Sequence, residues 1–204
     1  NYFTLSQSTG WVSIFRSVNL ENTTSSNVGV VYKGGSRFLH NYGANNTFLG
    51  INSGNLTLTG GNNTAIGNYS LYYNTTGSNN TSLGYQSLYS NTTGINNTAL
   101  GKNSLYSNSA GYSNLSLGNE ALYYNTTGHN NIAVGSQTLL FNTTGIGNTA
   151  IGSASLINNT TGNNNTAIGT RSLYFNTGLN NTSMGYESLS LSTTTNSSTA
   201  IGWQ

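Results

Sequence analysis

Asn62-Asn63-Thr64-Ala65-Ile66-Gly67-Asn68-Tyr69-Ser70-Leu71-Tyr72-Tyr73-Asn74-Thr75-Thr76-Gly77-Ser78 is followed without a gap by Asn79-Asn80-Thr81-Ser82-Leu83-Gly84, and a second Asn-Thr-Thr-Gly closes that copy at residues 91–94. Working outward from this stretch, Gly50, Gly67, Gly84, Gly101, Gly118, Gly135, Gly152 and Gly169 fall at intervals of 17. Gly185 comes after 16 because Asn176-Thr177-Gly178 lacks one Thr, and Gly202 comes after 17 again. A second series, Gly60, Gly77, Gly94, Gly111, Gly128, Gly145 and Gly162, marks the other corner of the unit. Copies therefore begin at Asn45, Asn62, Asn79, Asn96, Ser113, Asn130, Gly147, Asn164 and Asn180, with a partial one at Ser197. A fixed short period is the mark of stacked coils, each too small to bury a core alone.

Two glycines per unit imply two tight bends, and the limbs between them have strand length. The expectation is an all-β fold: a parallel β-solenoid, of β-roll or β-helix type, with 17-residue coils. It runs over residues 33–204 as about ten repeats, after an assembly or capping segment at 1–32. Strand alternation puts the third and fifth residues of the unit on one face. The fifth is Leu49, Ile66, Leu83, Leu100, Leu117, Val134, Ile151 and Ile168 in successive copies, read as an inner aliphatic stack. The third, mostly Thr but Leu115 and Ile132 in two copies, is placed inside or at the edge of the interior. Leu71, Leu88, Leu105, Leu122, Leu139, Leu156 and Leu173 supply the opposing stack. Asn63, Asn80, Asn97, Asn114, Asn131, Asn148 and Asn165 should form an amide ladder, and Asn74, Asn91, Asn108, Asn125, Asn142, Asn159 and Asn176 a second one.

Composition narrows the function. Only 4% of residues are charged, the net charge is +2, and Asp, Cys and Pro are absent. No basic patch arises, so no nucleic-acid partner is expected, and no apolar run has the length of a membrane span. The regular spacing of Tyr, Phe and Trp argues for order despite the polar composition. Glycosidase chemistry needs two carboxyls about 5–9.5 Å apart. Glu120 and Glu187 sit at one position of copies four coils apart, roughly 19 Å at the strand spacing. Glu187 instead falls one coil from Arg171, the place for a surface ion pair. A Ser-His-Asp triad and a calcium-binding β-roll both need Asp, and His40 and His129 read as bend or surface residues. The chain is thus expected to be no enzyme and to need no cofactor or metal. Tyr72, Tyr89, Tyr106, Tyr123 and Tyr174, with Tyr73, Phe141 and Phe175, should face outward as a stripe for lateral packing or carbohydrate stacking. Asn22, Asn62, Asn74, Asn79, Asn91, Asn96, Asn125, Asn142 and Asn164 stand in Asn-x-Ser/Thr sequons and are candidate glycan acceptors.

Asn63-Thr64-Ala65-Ile66-Gly67 and Asn148-Thr149-Ala150-Ile151-Gly152 resemble the repeats of trimeric autotransporter adhesin heads. The whole unit looks like the N-T-A-I-G…N-T-T-G arrays of bacterial and phage fibre-like proteins, and the segment Arg37–Gly43 looks like their lead-in. The resemblance implies a left-handed β-roll used as a stalk, head or fibre.

The chain begins at Asn1 without an initiator Met, which reads as a processed secreted protein or a fragment. Its last copy stops half a coil short at Thr199–Gln204. The apolar residues Tyr2, Phe3, Leu5, Trp11, Ile14 and Phe15 offer a complement to an open coil bearing Ile201 and Trp203. The expected function is that of a structural subunit of an extracellular filament or surface appendage, polymerising head to tail through these two ends. Its expected partner is another copy of itself, as homopolymer or homotrimer. The alternative is an adhesin head or phage tail-fibre shaft that meets surface glycans from a cell or virion surface. A third reading, ice binding through Thr64, Thr81 and Thr98, is interrupted by Leu115 and Ile132.

Overall fold

A computed structural model describes residues 29–203. They form one 12-stranded sheet whose strand order follows the chain. An antiparallel hairpin of β1 (Val31–Lys33) and β2 (Ser36–His40) leads in. Ten parallel strands follow: β3 (Thr47–Leu49), β4 (Thr64–Ile66), β5 (Thr81–Leu83), β6 (Thr98–Leu100), β7 (Leu115–Leu117), β8 (Ile132–Val134), β9 (Thr149–Ile151), β10 (Thr166–Ile168), β11 (Thr182–Met184) and β12 (Thr199–Ile201). Equivalent repeat positions pair throughout, as in Thr64↔Thr81, Ala65↔Ser82 and Ile66↔Leu83. The missing Thr does not disturb this register, since Thr166 still pairs with Thr182. The chain is a parallel β-solenoid of 17-residue coils. Nine steps of about 4.8 Å make the stack roughly 43 Å long.

Each coil contains a single strand of three residues, not two strand limbs. The second limb winds as turns because its eighth and tenth residues take positive φ, 56° at Tyr69 and 54° at Leu71 in the second copy. Its backbone still pairs from coil to coil: the Leu71 N–H donates to the Ser87 carbonyl at 3.0 Å and the Tyr73 N–H to the Tyr89 carbonyl at 3.0 Å. Donors are thereby satisfied without extended geometry. A left-handed conformation costs a non-glycine residue about 1–2 kcal/mol. At the Leu position this is offset by full burial of the side chain, worth roughly 1.5–3 kcal/mol. At the sixth position only glycine fits. Gly118 has φ of 140°, and a Cβ there would overlap the carbonyl of Gly135 in the next coil.

The interior corrects the expected core. In the second copy the fully buried side chains are Asn63, Ala65, Ser70, Leu71 and Asn74. The Leu column 71, 88, 105, 122, 139, 156 and 173 is inside throughout. The fifth-position column is not: Ile66, Leu83 and Ile151 are 37%, 46% and 39% exposed, and Leu100, Leu117, Val134 and Ile168 are half-buried at best. Ile132 of the third-position column is exposed and Leu115 half-buried. Alternation does put positions three and five on one face, but that face is the outer one. The interior is too narrow for two aliphatic columns, so the fourth residue, Ala or Ser opposite Leu, is the one that fits. The first coil shows the constraint by inversion. There the fourth residue is the buried Phe48, and the tenth is Gly54, where a Cβ would run into the Phe48 ring.

Most of the interior is polar and cross-bonded. Asn80 donates its backbone N–H and its Nδ2 to Asn63 Oδ1, at 3.0 and 3.1 Å, and the pattern repeats from coil to coil as far as Asn181 on Asn165. Up to Asn165 each of these Asn also donates Nδ2 to the corner glycine carbonyl of its own coil, as Asn80 does to Gly94 at 2.9 Å, and Asn181 donates to Thr195, which stands at that corner, at 2.7 Å. The second ladder meets it there: Asn91 Nδ2 donates to Asn74 Oδ1 at 2.9 Å and to the same Gly94 carbonyl at 3.1 Å. Ser70, Ser87, Ser104, Ser155 and Ser172 brace the opposite corner by donating to strand carbonyls, as Ser87 does to Ala99 at 3.0 Å. The missing Thr ends the second ladder. Asn176 turns its oxygen to the Gly178 N–H, and Asn159 Oδ1 is left buried without a partner.

The hairpin covers the N-terminal edge of the stack, with His40 and Leu39 of β2 opposite Phe48 and Leu49 of β3. The regular coils begin at Asn45, so the boundary placed at residue 33 falls in the hairpin. His40 is buried, contrary to the expectation of a surface residue. Its ring lies 4.7 Å from that of Phe48, its Nε2 is 2.8 Å from the Ser53 carbonyl, and its Nδ1 accepts from the Tyr42 N–H. These partners fit the neutral Nε2–H tautomer. Burial is the main reason that its pKa is lowered from 6.5.

Candidate functional site

Among the described residues no cluster of three or more His, Cys, Asp or Glu could hold a metal ion, and no helix is long and apolar enough to cross a membrane. Glu187 meets Arg171 at 3.1 Å, as the one-coil spacing implies, and this neighbour raises the arginine pKa. Glu120 accepts from Gln137 Nε2 at 3.1 Å. His129 lies half-exposed against Tyr112, with ring centroids 4.3 Å apart. The features that can meet a partner are therefore surfaces built by repetition.

The first is the outer face of the sheet. The third and fifth residues of the unit, the two ends of each parallel strand, lie on the outer side, giving a row of Thr interrupted by Leu115 and Ile132 beside an unbroken apolar row from Leu49 to Ile201. No charged side chain stands in either row. An uncharged apolar strip running the length of the rod exceeds the scattered exposure normal for a monomer. At its end Ile201 and Trp203 are 77% and 80% exposed, and among the described residues β12 has β11 as its one strand neighbour.

The second is the aromatic rail, formed by the eleventh and twelfth residues of the unit. Tyr72, Tyr89, Tyr106 and Tyr123 stack as parallel rings at centroid spacings of 5.7, 5.0 and 4.9 Å. Their faces are turned to one another, so the middle rings present edges rather than a platform for sugar. Tyr73 packs edge-on against Tyr72 and Tyr89. Burial, followed by the hydrogen bond to Tyr73, pushes the Tyr89 phenol up to about 12. Leu140 and Ile157 interrupt the inner stack, and Tyr124 and Phe141 continue it one position outward at 5.5 Å. A hollow of about 590 Å³ lies beside that pair, lined by Ser107, Thr126, Thr143, Asn158 and Thr160.

The third surface is the sequon-bearing corner. Asn62, Asn79, Asn96 and Asn164 are exposed at the first bend. Asn74, Asn91, Asn125 and Asn142 are rungs of the second inner ladder with no exposed surface, which removes them as acceptors in the folded chain. Asn22 and the apolar residues Tyr2, Phe3, Leu5, Trp11, Ile14 and Phe15 lie outside the described residues. The sequence carried a usable signal for the two inversions. A column restricted to small residues is crowded and faces inward, whereas one that accepts Ile, Leu, Val and Met alike faces out. No family model matches the chain, and neither a curated protein nor a solved structure is significantly similar to it.

Proposed function

We propose that the chain is a non-enzymatic structural subunit of an extracellular filament or surface appendage, and that it assembles with copies of itself. The observation that carries this reading is the outer sheet face. Ten coils repeat one aliphatic and one Thr position in parallel register with no intervening charge, so a second rod of the same period can pack against it along its length. Lengthwise joining uses β12, which pairs with β11 alone among the described residues and stands beside the exposed Ile201 and Trp203. The complement is residues 1 to about 30 of the next copy. Negative-stain microscopy tests this: long uniform filaments are expected, and their persistence after deletion of residues 1–20 would sink the lengthwise joint.

The same face favours a second reading, a short laterally bundled rod such as an adhesin head or tail-fibre shaft, with three chains as in the families its repeats resemble. Leu100→Lys combined with Leu117→Lys should reduce the mass measured by light scattering to that of one chain while leaving the circular dichroism spectrum unchanged. Discrete short rods of fixed mass would select this reading over filaments. An unaltered mass for the double variant would remove the sheet face from both.

A further inference from the structure

The sequons at the first bend and on the two amide ladders divide into two classes with opposite relations to the fold. The outer class, Asn45, Asn62, Asn79, Asn96, Asn164 and Asn180, is exposed at the bend that precedes each strand. The inner class is buried: Asn74, Asn91, Asn125, Asn142 and Asn159 on the second ladder, and Asn80, Asn114 and Asn181 on the first, whose sequons are completed by Ser82, Ser116 and Ser183. On the second ladder, from Asn91 on, each inner amide donates both to the preceding rung and to a corner glycine carbonyl. Asn125, for example, reaches Asn108 Oδ1 at 2.9 Å and Gly128 at 3.0 Å. Both Nδ2 hydrogens are engaged, and the space around them is filled by the neighbouring coils.

Asn-linked glycosylation forms a bond from Nδ2 to C1 of the sugar and breaks the bond from C1 to the pyrophosphate of a lipid-linked oligosaccharide, with loss of one Nδ2 proton. At an inner rung the reaction would remove one of the two donated hydrogen bonds and set a bulky polar group inside a coil whose interior accepts little more than Leu and Ala. At an outer bend it meets solvent and costs an exposed contact between neighbouring outer Asn, such as Asn45 Nδ2 to Asn62 Oδ1 at 3.3 Å. The sequons are nevertheless equally legible to an oligosaccharyltransferase while the chain is unfolded.

We propose that Asn-linked glycan is compatible with this fold only on the outer class, and that a chain modified at any inner rung cannot close its coils. Folding must then precede glycan transfer or take place away from it. This excludes delivery to a surface as an unfolded chain through a compartment that glycosylates on entry. The inference is independent of the filament reading, because its test reads folding and glycan position rather than assembly.

The chain is expressed with a cleavable secretion signal in yeast, beside a variant carrying Thr76→Ala, Thr93→Ala, Thr127→Ala, Thr144→Ala and Thr161→Ala together with Ser82→Ala, Ser116→Ala and Ser183→Ala. The exposed threonines complete the second-ladder sequons without belonging to the ladder, and Ala110 already occupies the equivalent place after Asn108-Ser109. The three serines complete the first-ladder sequons, and Ala65, Ala99 and Ala133 already occupy their place in other coils. Glycopeptide mass spectrometry and protease resistance are read on both. The expected result is that wild-type chains bearing inner glycan are protease-sensitive and retained. The variant is secreted folded, with glycan on outer residues alone. Folded, secreted protein carrying glycan on Asn74, Asn80, Asn91, Asn114, Asn125, Asn142, Asn159 or Asn181 would overturn the proposal. So would a variant that fails in the same way as the wild type while the same chain made in the bacterial cytosol folds, or one that is secreted folded with bare outer residues.

Discussion

Replacing Asn97 by Leu separates a hydrogen-bonded interior from an oily one. Leu is close to Asn in size, and in an apolar core the exchange would be neutral or stabilising. Here Asn97 Oδ1 accepts from the backbone N–H and Nδ2 of Asn114, at 3.0 and 3.1 Å, and its own Nδ2 donates to Asn80 Oδ1 at 3.2 Å and to Gly111 at 2.8 Å. Gly111 keeps Asn108, and Asn80 keeps the Asn97 backbone N–H. The Asn114 N–H keeps nothing. Four bonds at about 1 kcal/mol each, plus roughly 1–3 kcal/mol for one orphaned buried donor, oppose about 1.5–3 kcal/mol from burying Leu. Destabilisation of about 2–5 kcal/mol follows, read as a lower urea midpoint by circular dichroism with accelerated exchange of the Asn114 amide. Asn97→Asp adds a pH arm. Its carboxyl would face the acceptors of Asn80 and Gly111 with no cation near, so its folded pKa is raised. The folded state then binds the extra proton, and stability should fall as pH rises from about 3.9 through the folded value. An unchanged or raised midpoint for the Leu variant would refute the ladder as the source of stability.

Gly118→Ala places a methyl group against the Gly135 carbonyl at a φ that L residues avoid, so more than about 3 kcal/mol should be lost, with the stack parting locally by proteolysis between residues 110 and 140. Gly147 stands in the first-position column with φ of 67°, where other copies hold Asn near 58°. Gly147→Asn restores the repeat and should raise the melting temperature, by roughly 0.5–1 kcal/mol of unfolded-chain entropy, the Asn164 amide swinging aside to make room. His40 has its pKa lowered by burial, so the unfolded chain binds the proton first. Stability should fall as pH drops below about 6.5 toward the folded value, and His40→Phe should flatten that dependence in urea midpoints taken from pH 8 to 5.

The period, the parallel stacking and both amide ladders are legible in the sequence because they follow from identity between copies, which needs no geometry. The side of the sheet is not legible from hydrophobicity alone. Ile66 and Leu71 carry the same apolar signal, yet one faces solvent and the other is sealed in, and the difference lies in the width of the coil. That width is set by turns whose φ signs cannot be read from residues such as Tyr69, Glu120 and Arg171, all at positive φ in an unremarkable surface column. Likewise the buried His40 is settled by an antiparallel hairpin that breaks the repeat, and lies beyond any argument from periodicity. The aromatic stripe was legible as outward, but not that its rings spend their faces on each other.

A coil that buries one Leu, one Ala or Ser, one bracing Ser and two Asn cannot stand alone, and what it gains comes almost entirely from the coils above and below. Stability in such a stack is a sum of nearest-neighbour terms, so a local fault stays local. The missing Thr is the demonstration: it orphans one buried oxygen on Asn159 and diverts Asn176, yet β10 and β11 remain in register. The same additivity explains why the inner amides are Asn without a single Asp. One carboxylate in the ladder would keep the donors of the next rung but meet acceptors at the preceding rung and at the corner carbonyl, and no distant part of the chain could compensate for it, because no distant part touches it. The interior thus selects for a neutral group that donates and accepts along the axis, and the outer face is left free to vary in size so long as it stays uncharged. A molecule under those two constraints can grow by whole coils, and its outer face repeats with the period of the stack.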